Sequence, residues 1–263
     1  MNKVMTMDEL RNYPILFQTE NTGSEKYSHI RTIDKIEEMM DMGWNPVAVK
    51  QQNSKKYAGY HPHVVLFENE KINSLYTHKE GLSFQALMYN SYNRLKAYQM
   101  NFGAYRFICG NGVVFGESIM EAMKIRHKGL TEESLSETIQ SYMDRIPVVM
   151  ESIDAMKATK ISEIDKRDFA GKAIELRYPY VEETNNYPVS IEDMITIRRP
   201  EDQENNVWST YNILQESLQK GGQLITMDEN KRRKTRTRPI KDINRDILIN
   251  KQLWDLGMQY CNR

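Results

Sequence analysis

The sequence predicts an α+β fold, with an antiparallel β-meander in the N-terminal half packed with helices drawn mainly from the C-terminal half. Three observations carry this expectation. Between residues 44 and 115, short β-branched and aromatic runs recur between polar or Gly-containing turns, as neighbouring antiparallel strands do. After residue 130 the apolar period shifts towards 3.6, with Ser before two of the periodic runs and Gly-Gly after another. No internal repeat and no G-x-G-x-x-G between a strand and a helix argues for a doubly wound sheet, and 263 residues suffice for a sizeable core.

Residues 1–27 read as an irregular arm, 28–226 as the core domain, 227–241 as a basic flexible tract and 242–263 as a closing helix. Thr32 is the expected N-cap of a helix that shows Ile33, Ile36, Met39 and Met40 on one face and stops at Gly43. Strands are expected at 44–49, 61–67, 83–90, 94–101, 105–109, 113–115 and 119–127. Turns are expected at 51–56, 90–93, Gly103 and Asn111-Gly112. Helices follow at 132–145 and 148–157, interrupted by Pro147, which should kink or split them. Ser162 and Asp165 are spaced like a capping box for a helix over 162–176, and Ser190 with Asp193 repeats that spacing. A helix over 206–220 ends at Gly221-Gly222, with Trp208 and Tyr211 expected to pack against the sheet. The last helix carries Ile243, Ile247, Leu248, Leu253, Trp254 and Leu256 as its apolar face.

Composition bounds the function. Lys+Arg and Asp+Glu are equal at 36 each, so a polyanionic partner must be met by local charge separation. Two cysteines, Cys109 and Cys261, make no disulfide framework and point to a reducing, cytoplasmic setting. The N-terminal residues carry no signal-peptide pattern, and no stretch of about 18 apolar residues predicts a membrane span.

Residues 90–116 interleave rings with cations: Tyr92, Tyr98 and Tyr105 stand near Arg94, Lys96 and Arg106. On strands, such a pattern suits stacking on bases and contact with phosphate. It equally suits a core of aromatics with solvated cations. The strongest charge signal is Lys231, Arg232, Arg233, Lys234, Arg236 and Arg238, with Lys241 beyond, seven cations in eleven positions. Such a run releases counterions from a nucleic-acid backbone, or else is a solvated loop. His61 and His63 would share one face of a strand and so offer half a metal site, with Glu68 and Glu70 nearby; a structural pair fits them better. Cys109, with His61, His63 or His127 as base, lacks an orienting partner, which argues against a nucleophile. No P-loop is present, so ATP-driven chemistry is not expected, nor is any cofactor.

The Asn90-Ser91 pair, the following strand and Arg106-Phe-x-Cys109-x-Asn111-Gly112 resemble a phage and plasmid protein family filed as a domain of unknown function. Asn212 to Glu216, Gly221-Gly222, the basic run and Asn250 to Trp254 continue the likeness over roughly 28–260. The resemblance implies a mobile-element protein. By analogy of context and build with the RecT, Redβ, Erf and Sak annealing proteins, it implies ATP-independent single-stranded-DNA binding and strand annealing. Expected partners are single-stranded DNA, further copies in a ring or filament, and a phage exonuclease or host single-strand-binding protein, with no membrane. The alternatives are an interaction protein that binds a host or defence factor, and a metal-dependent nuclease built on His61 and His63.

Overall fold

A computed structural model describes residues 3–19, 30–51, 59–76, 82–93, 98–106, 123–125, 132–182, 186–225 and 235–262. The fold is α+β, as the order of patterns in the sequence predicts. The chain divides into two compact units, and the boundary falls between Arg145 and Ile146, inside a helix.

The first unit is built on one antiparallel sheet whose strands lie in chain order: β1 (Trp44–Gln51), β2 (His63–Asn69), β3 (Leu82–Asn90), β4 (Tyr98–Arg106) and the short β5 (Met123–Ile125). The expected arm is ordered at its start. Thr6 caps α1 (Met7–Arg11) in a reciprocal capping box with Glu9, and a 3-10 turn follows at Pro14–Phe17. α2 spans Thr32–Asp41 and α3 spans Glu70–Tyr76, a helix that the sequence pattern did not predict. Arg31, not Thr32, is the N-cap of α2, because the Thr32 hydroxyl is engaged elsewhere.

The register explains why these strands read ambiguously. One face carries the apolar rows Val65–Met88–Met100 and Phe67–Ala86–Phe102. Phe102 stacks on Tyr142 at 4.4 Å, and Trp44 meets Phe102 edge-on at 6.0 Å. The other face pairs Glu68 with Gln85, Leu87 with Asn101 and Tyr89 with Gln99, and these are buried as well. Strands buried on both faces lose the alternation that separates inside from outside. Gly103, expected as a turn, lies within β4 opposite Gln85, and its carbonyl accepts the Tyr142 hydroxyl at 3.1 Å.

The second unit is helical. α4 (Glu132–Ala158) continues as one helix through Pro147, so the residue does not split it, and contributes residues 146–158 to this unit. Pro147 is exposed, so the carbonyl that loses its amide partner can bond water. α5 (Glu163–Arg177), α6 (Ile191–Met194), α7 (Val207–Lys220) and α8 (Ile243–Cys261) are each capped by a side chain, Ser162 and Ser190 as their spacing predicts, and Asn206 and Asp242 where the helices expected from the sequence begin. Residues 207–219 of α7 are all buried, with Tyr211 edge-on to Trp254 of α8 at 5.8 Å, so these aromatics pack on a helix of this unit. On α8 the large apolar side chains Ile249, Leu253, Trp254, Leu256 and Tyr260 are buried, whereas Leu248 is exposed.

Gly221 ends α7 at φ 67°, and the chain then pairs backwards. Gly222 N–H donates to Thr237 O, Thr237 N–H to Gln223 O and Ile225 N–H to Thr235 O, each at 2.9 Å. This ladder holds the residues on either side of 226–234 together at the end of α7.

Candidate nucleic-acid interface

In the first unit, β2, β3 and α2 converge on a closed polar cluster. His63 Nδ1 lies 3.0 Å from the His61 carbonyl, which can only accept, so that nitrogen carries the proton and Nε2 accepts from Thr32 Oγ1 at 2.7 Å. Having given its proton to His63, Thr32 Oγ1 accepts from Tyr92 Oη at 2.7 Å and from Asn90 Nδ2 at 3.0 Å. Tyr92 Oη in turn accepts the Thr32 N–H at 2.8 Å. The cluster is a structural lock between α2 and the sheet. It uses both nitrogens of His63, which therefore cannot ligate a metal as placed, and a structural role, the reading that fits this histidine better from the sequence, is the one that His63 fills. Among the described residues no group of three or more His, Cys, Asp or Glu side chains is gathered as a metal site.

Burial lowers the His63 pKa from 6.5 to about 4. The unfolded chain takes up this proton near 6.5 and the folded chain only near 4, so the folded state is disfavoured as the pH falls between those values. Full stability from this group is present above pH 6.5 and about 3 kcal/mol is lost by pH 4. Urea midpoints at pH 7.5 and pH 4.5 for the parent and His63→Gln test this. The drop between the two pH values is expected to be markedly smaller in the variant, and equal drops would show that His63 does not carry it.

The stacking residues expected from 90–116 are not at the surface. Tyr92 is 1% and Tyr98 0% exposed. Tyr92 is consumed by the Thr32 cluster, and burial with the nearby Glu38 carboxylate pushes the Tyr98 pKa up. Neither can stack on a base. Tyr105 and Arg106 hold the last positions of β4, opposite Ser83 and Leu82. Arg94, Lys96, Cys109 and His127, together with Lys231, Arg232, Arg233 and Lys234, lie outside the described residues.

The cations of the second unit are arranged differently. Many charged groups here are paired: Arg167 with Glu192 at 2.6 Å, Lys172 with Asp168 at 2.9 Å, and Arg199 and Lys220 both with Glu216 at 2.9 Å. Eight others are not. Arg177, Arg198, Arg236, Arg238, Lys241, Arg245, Lys160 and Lys251 have no carboxylate oxygen within 4.0 Å among the described residues. Four of them, Arg177, Arg238, Lys241 and Arg245, line one opening of about 500 Å³ together with Tyr178 and a single acid, Asp242. Arg198 and Arg236 line a neighbouring cavity of about 300 Å³ with Asp193.

Neutral partners hold these guanidiniums in place. Arg177 donates to the carbonyls of Leu218 and Arg238, Arg245 to Arg177 O at 2.7 Å, Arg236 to Gly222 O at 2.5 Å and Arg198 to Gly221 O at 3.2 Å. These bonds fix the positions of the four guanidiniums without a carboxylate oxygen within 4.0 Å among the described residues, although Asp246 acts on Arg177 from a longer distance. Arg177 also lies over the Tyr178 ring at 4.9 Å. Burial, assisted by the like charge of Arg245, holds its pKa below the usual arginine value. Asp242 spends its carboxylate on capping α8, accepting from Arg245 N–H at 2.8 Å. Asp246 sits behind the opening, where its Oδ1 accepts from Asn250 at 3.0 Å and Gln219 at 3.2 Å, and burial pushes its pKa up to about 6. A fixed set of cations with one opposing acid attracts phosphate. Arg177 and Arg245 escape a reading of the sequence because the opening joins positions 68 residues apart. The run Arg177-Tyr178-Pro179-Tyr180 is the one signal that could have pointed to them.

Fold and site together define an α+β protein of two units, the second bearing an unpaired cationic surface next in sequence to a basic run. The chain belongs to the family described as Domain of unknown function (DUF932), whose model matches residues 21–254. It is similar to two Escherichia coli K12 proteins, UPF0380 protein YfjQ and UPF0380 protein YafZ. Each is 27% identical, over 258 and 256 residues respectively, covering 96% of this chain and 90% of each relative. No solved structure matches the chain. Among the described residues no helix is long and apolar enough to cross a membrane.

Proposed function

We propose that this protein binds single-stranded DNA through the cationic surface of its second unit and promotes strand annealing without ATP, in the cytoplasm of the host cell of a mobile element. The observation that supports this reading is the cation set itself. In a chain with 36 basic and 36 acidic residues, Arg177, Arg238, Lys241 and Arg245 stand together without a carboxylate partner among the described residues. Lys231 to Lys234 add further cations nearby in sequence. A partner carrying regularly spaced negative charge supplies what the site lacks. Capture of the backbone leaves base edges available to a complementary strand, so annealing needs no bond-making step. Copies of the chain arranged in a ring or filament would repeat the surface along one strand, and a nuclease that exposes single strands is the natural partner.

Fluorescence anisotropy with labelled single-stranded oligonucleotides across a salt series, read together with annealing of complementary strands, tests the proposal. The Arg238→Ala, Lys241→Ala double variant removes two exposed cations whose side chains make no hydrogen bond that holds the fold. It is expected to weaken binding at low salt and to reduce the slope of log K against log salt by roughly 1.4, about 0.7 for each phosphate no longer neutralised. Absence of oligonucleotide binding by the parent at low salt would overturn the proposal.

A further inference from the structure

We infer that Tyr180 and Tyr187 form a base-stacking platform at the rim of the cationic opening, so that the site selects strands with unpaired bases. This inference rests on the nucleic-acid reading above and names the part of the site that distinguishes one strand from two.

The two rings stand at 5.3 Å between centroids and 75° between planes, an edge-to-face pair. Tyr180 is 47% exposed, an unusual state for a large ring, and Tyr187 is partly exposed. An antiparallel bridge between Val181 and Asn186, with hydrogen bonds of 3.0 and 3.3 Å, holds the segment that carries them.

Position is the second observation. Pro179 and Tyr178 line the cationic opening, and Tyr180 follows Pro179 directly, so its Cα lies about 3.8 Å from that of a residue of the lining. The backbone of Tyr180 therefore stands at the rim, beside the site where phosphates would sit. Tyr178 is unsuited to the task, because it is buried with its hydroxyl donating to Gln223 at 3.2 Å. Every base has a π-face, so stacking adds affinity with little sequence preference. In a duplex those faces are already stacked on one another, and only the cations would contribute.

The test compares the full chain with Tyr180→Ala, Tyr187→Ala and with Tyr180→Phe, Tyr187→Phe, using a labelled thymidine oligonucleotide, the same length of abasic strand, and a duplex. Removing both rings is expected to weaken thymidine-strand binding roughly tenfold or more and to leave duplex binding unchanged. The Phe pair keeps its π-faces and is expected to bind like the parent. The abasic strand should bind the parent about as weakly as the thymidine strand binds the Ala pair. If the Ala pair binds the thymidine strand normally while Arg238→Ala, Lys241→Ala is impaired, the platform is overturned and the cationic site stands. If the parent binds neither strand nor duplex at low salt, both readings fall together.

Discussion

Gly221→Ala is expected to destabilise the second unit by about 3 kcal/mol and to weaken oligonucleotide binding with it. Two costs add. Gly221 holds φ 67° and ψ −143° at the end of α7, a backbone conformation that residues with a Cβ rarely adopt, worth on the order of 1–3 kcal/mol. A Cβ at this position would also stand 2.8 Å from the carbonyl oxygens of both Thr237 and Arg238. Those are backbone atoms of the returning chain, so relief requires the ladder to move away from α7. The bonds at risk include Gly222 N–H to Thr237 O and Ile240 N–H to Gln219 O, both at 2.9 Å, and the anchoring of Arg238 O by Arg177. Moving them displaces Arg238 and Lys241 from the opening. Gly222→Ala is the control. Its φ of 92° is equally unfavourable, but nothing lies within 4 Å of the added Cβ, so only the conformational cost of about 1 kcal/mol or somewhat more applies. Urea unfolding followed by tryptophan fluorescence, read beside anisotropy, separates the two. Equal destabilisation in both variants would mean that the close approach of residues 237–238 to α7 is not what Gly221 protects.

What the sequence disclosed and what it withheld follow from the range of the interactions. Helix ends are local events, and the caps at Ser162, Ser190 and Gly221 stand where their spacing puts them. The same logic applies at Thr6-x-x-Glu9, where it marks an ordered turn of helix inside what otherwise reads as an arm. The sheet was legible as a meander but not as to its faces. β3 and β4 are buried on both sides, so polar residues such as Gln85 and Asn101 sit inside and the rings of Tyr92 and Tyr98 belong to the core. Aromatic and cationic interleaving on a strand marks a surface only when one face meets solvent. The cationic opening was half visible. Arg238 and Lys241 belong to the basic run, but Arg177 ends α5 and Arg245 starts α8, and only packing brings them together. The decisive property, cations without carboxylate partners, is a statement about distances that no spacing in the sequence encodes.

The largest single destabilisation is expected at Thr32→Val, a change that conserves shape and removes only the hydroxyl. At the surface such a swap costs little. Here the hydroxyl belongs to a residue that is 0% exposed and makes three hydrogen bonds at once, donating to His63 and accepting from Tyr92 and Asn90. Removal leaves His63 Nε2 without its Thr32 donor and takes from Tyr92 Oη its 2.7 Å contact with the Thr32 hydroxyl, both at residues no more than 1% exposed. Asn90 Nδ2 keeps one partner, Ile30 O at 2.9 Å. Each buried group stripped of its partner costs about 1–3 kcal/mol, so two of them place the expected effect at roughly 2–6 kcal/mol. That is a large share of the roughly 5–15 kcal/mol by which folded domains typically persist. Thr32→Ser retains the hydroxyl and removes one methyl group, so it should cost no more than about 1 kcal/mol. Hydrogen exchange of the β2 and β3 amides, which the cluster ties to α2, reports the effect where it occurs. Valine should accelerate exchange through those strands by one or more orders of magnitude while serine leaves it nearly unchanged. Equal exchange in the two variants would mean that the methyl group and not the hydroxyl holds α2 against the sheet. The cluster also bears on function by elimination, because its hydrogen bonds consume the ring nitrogens of His63 and the hydroxyl of Tyr92. These chemistry-bearing side chains of the first unit are thus spent on holding the fold, and among the described residues the cations gathered without a carboxylate partner are those of the second unit.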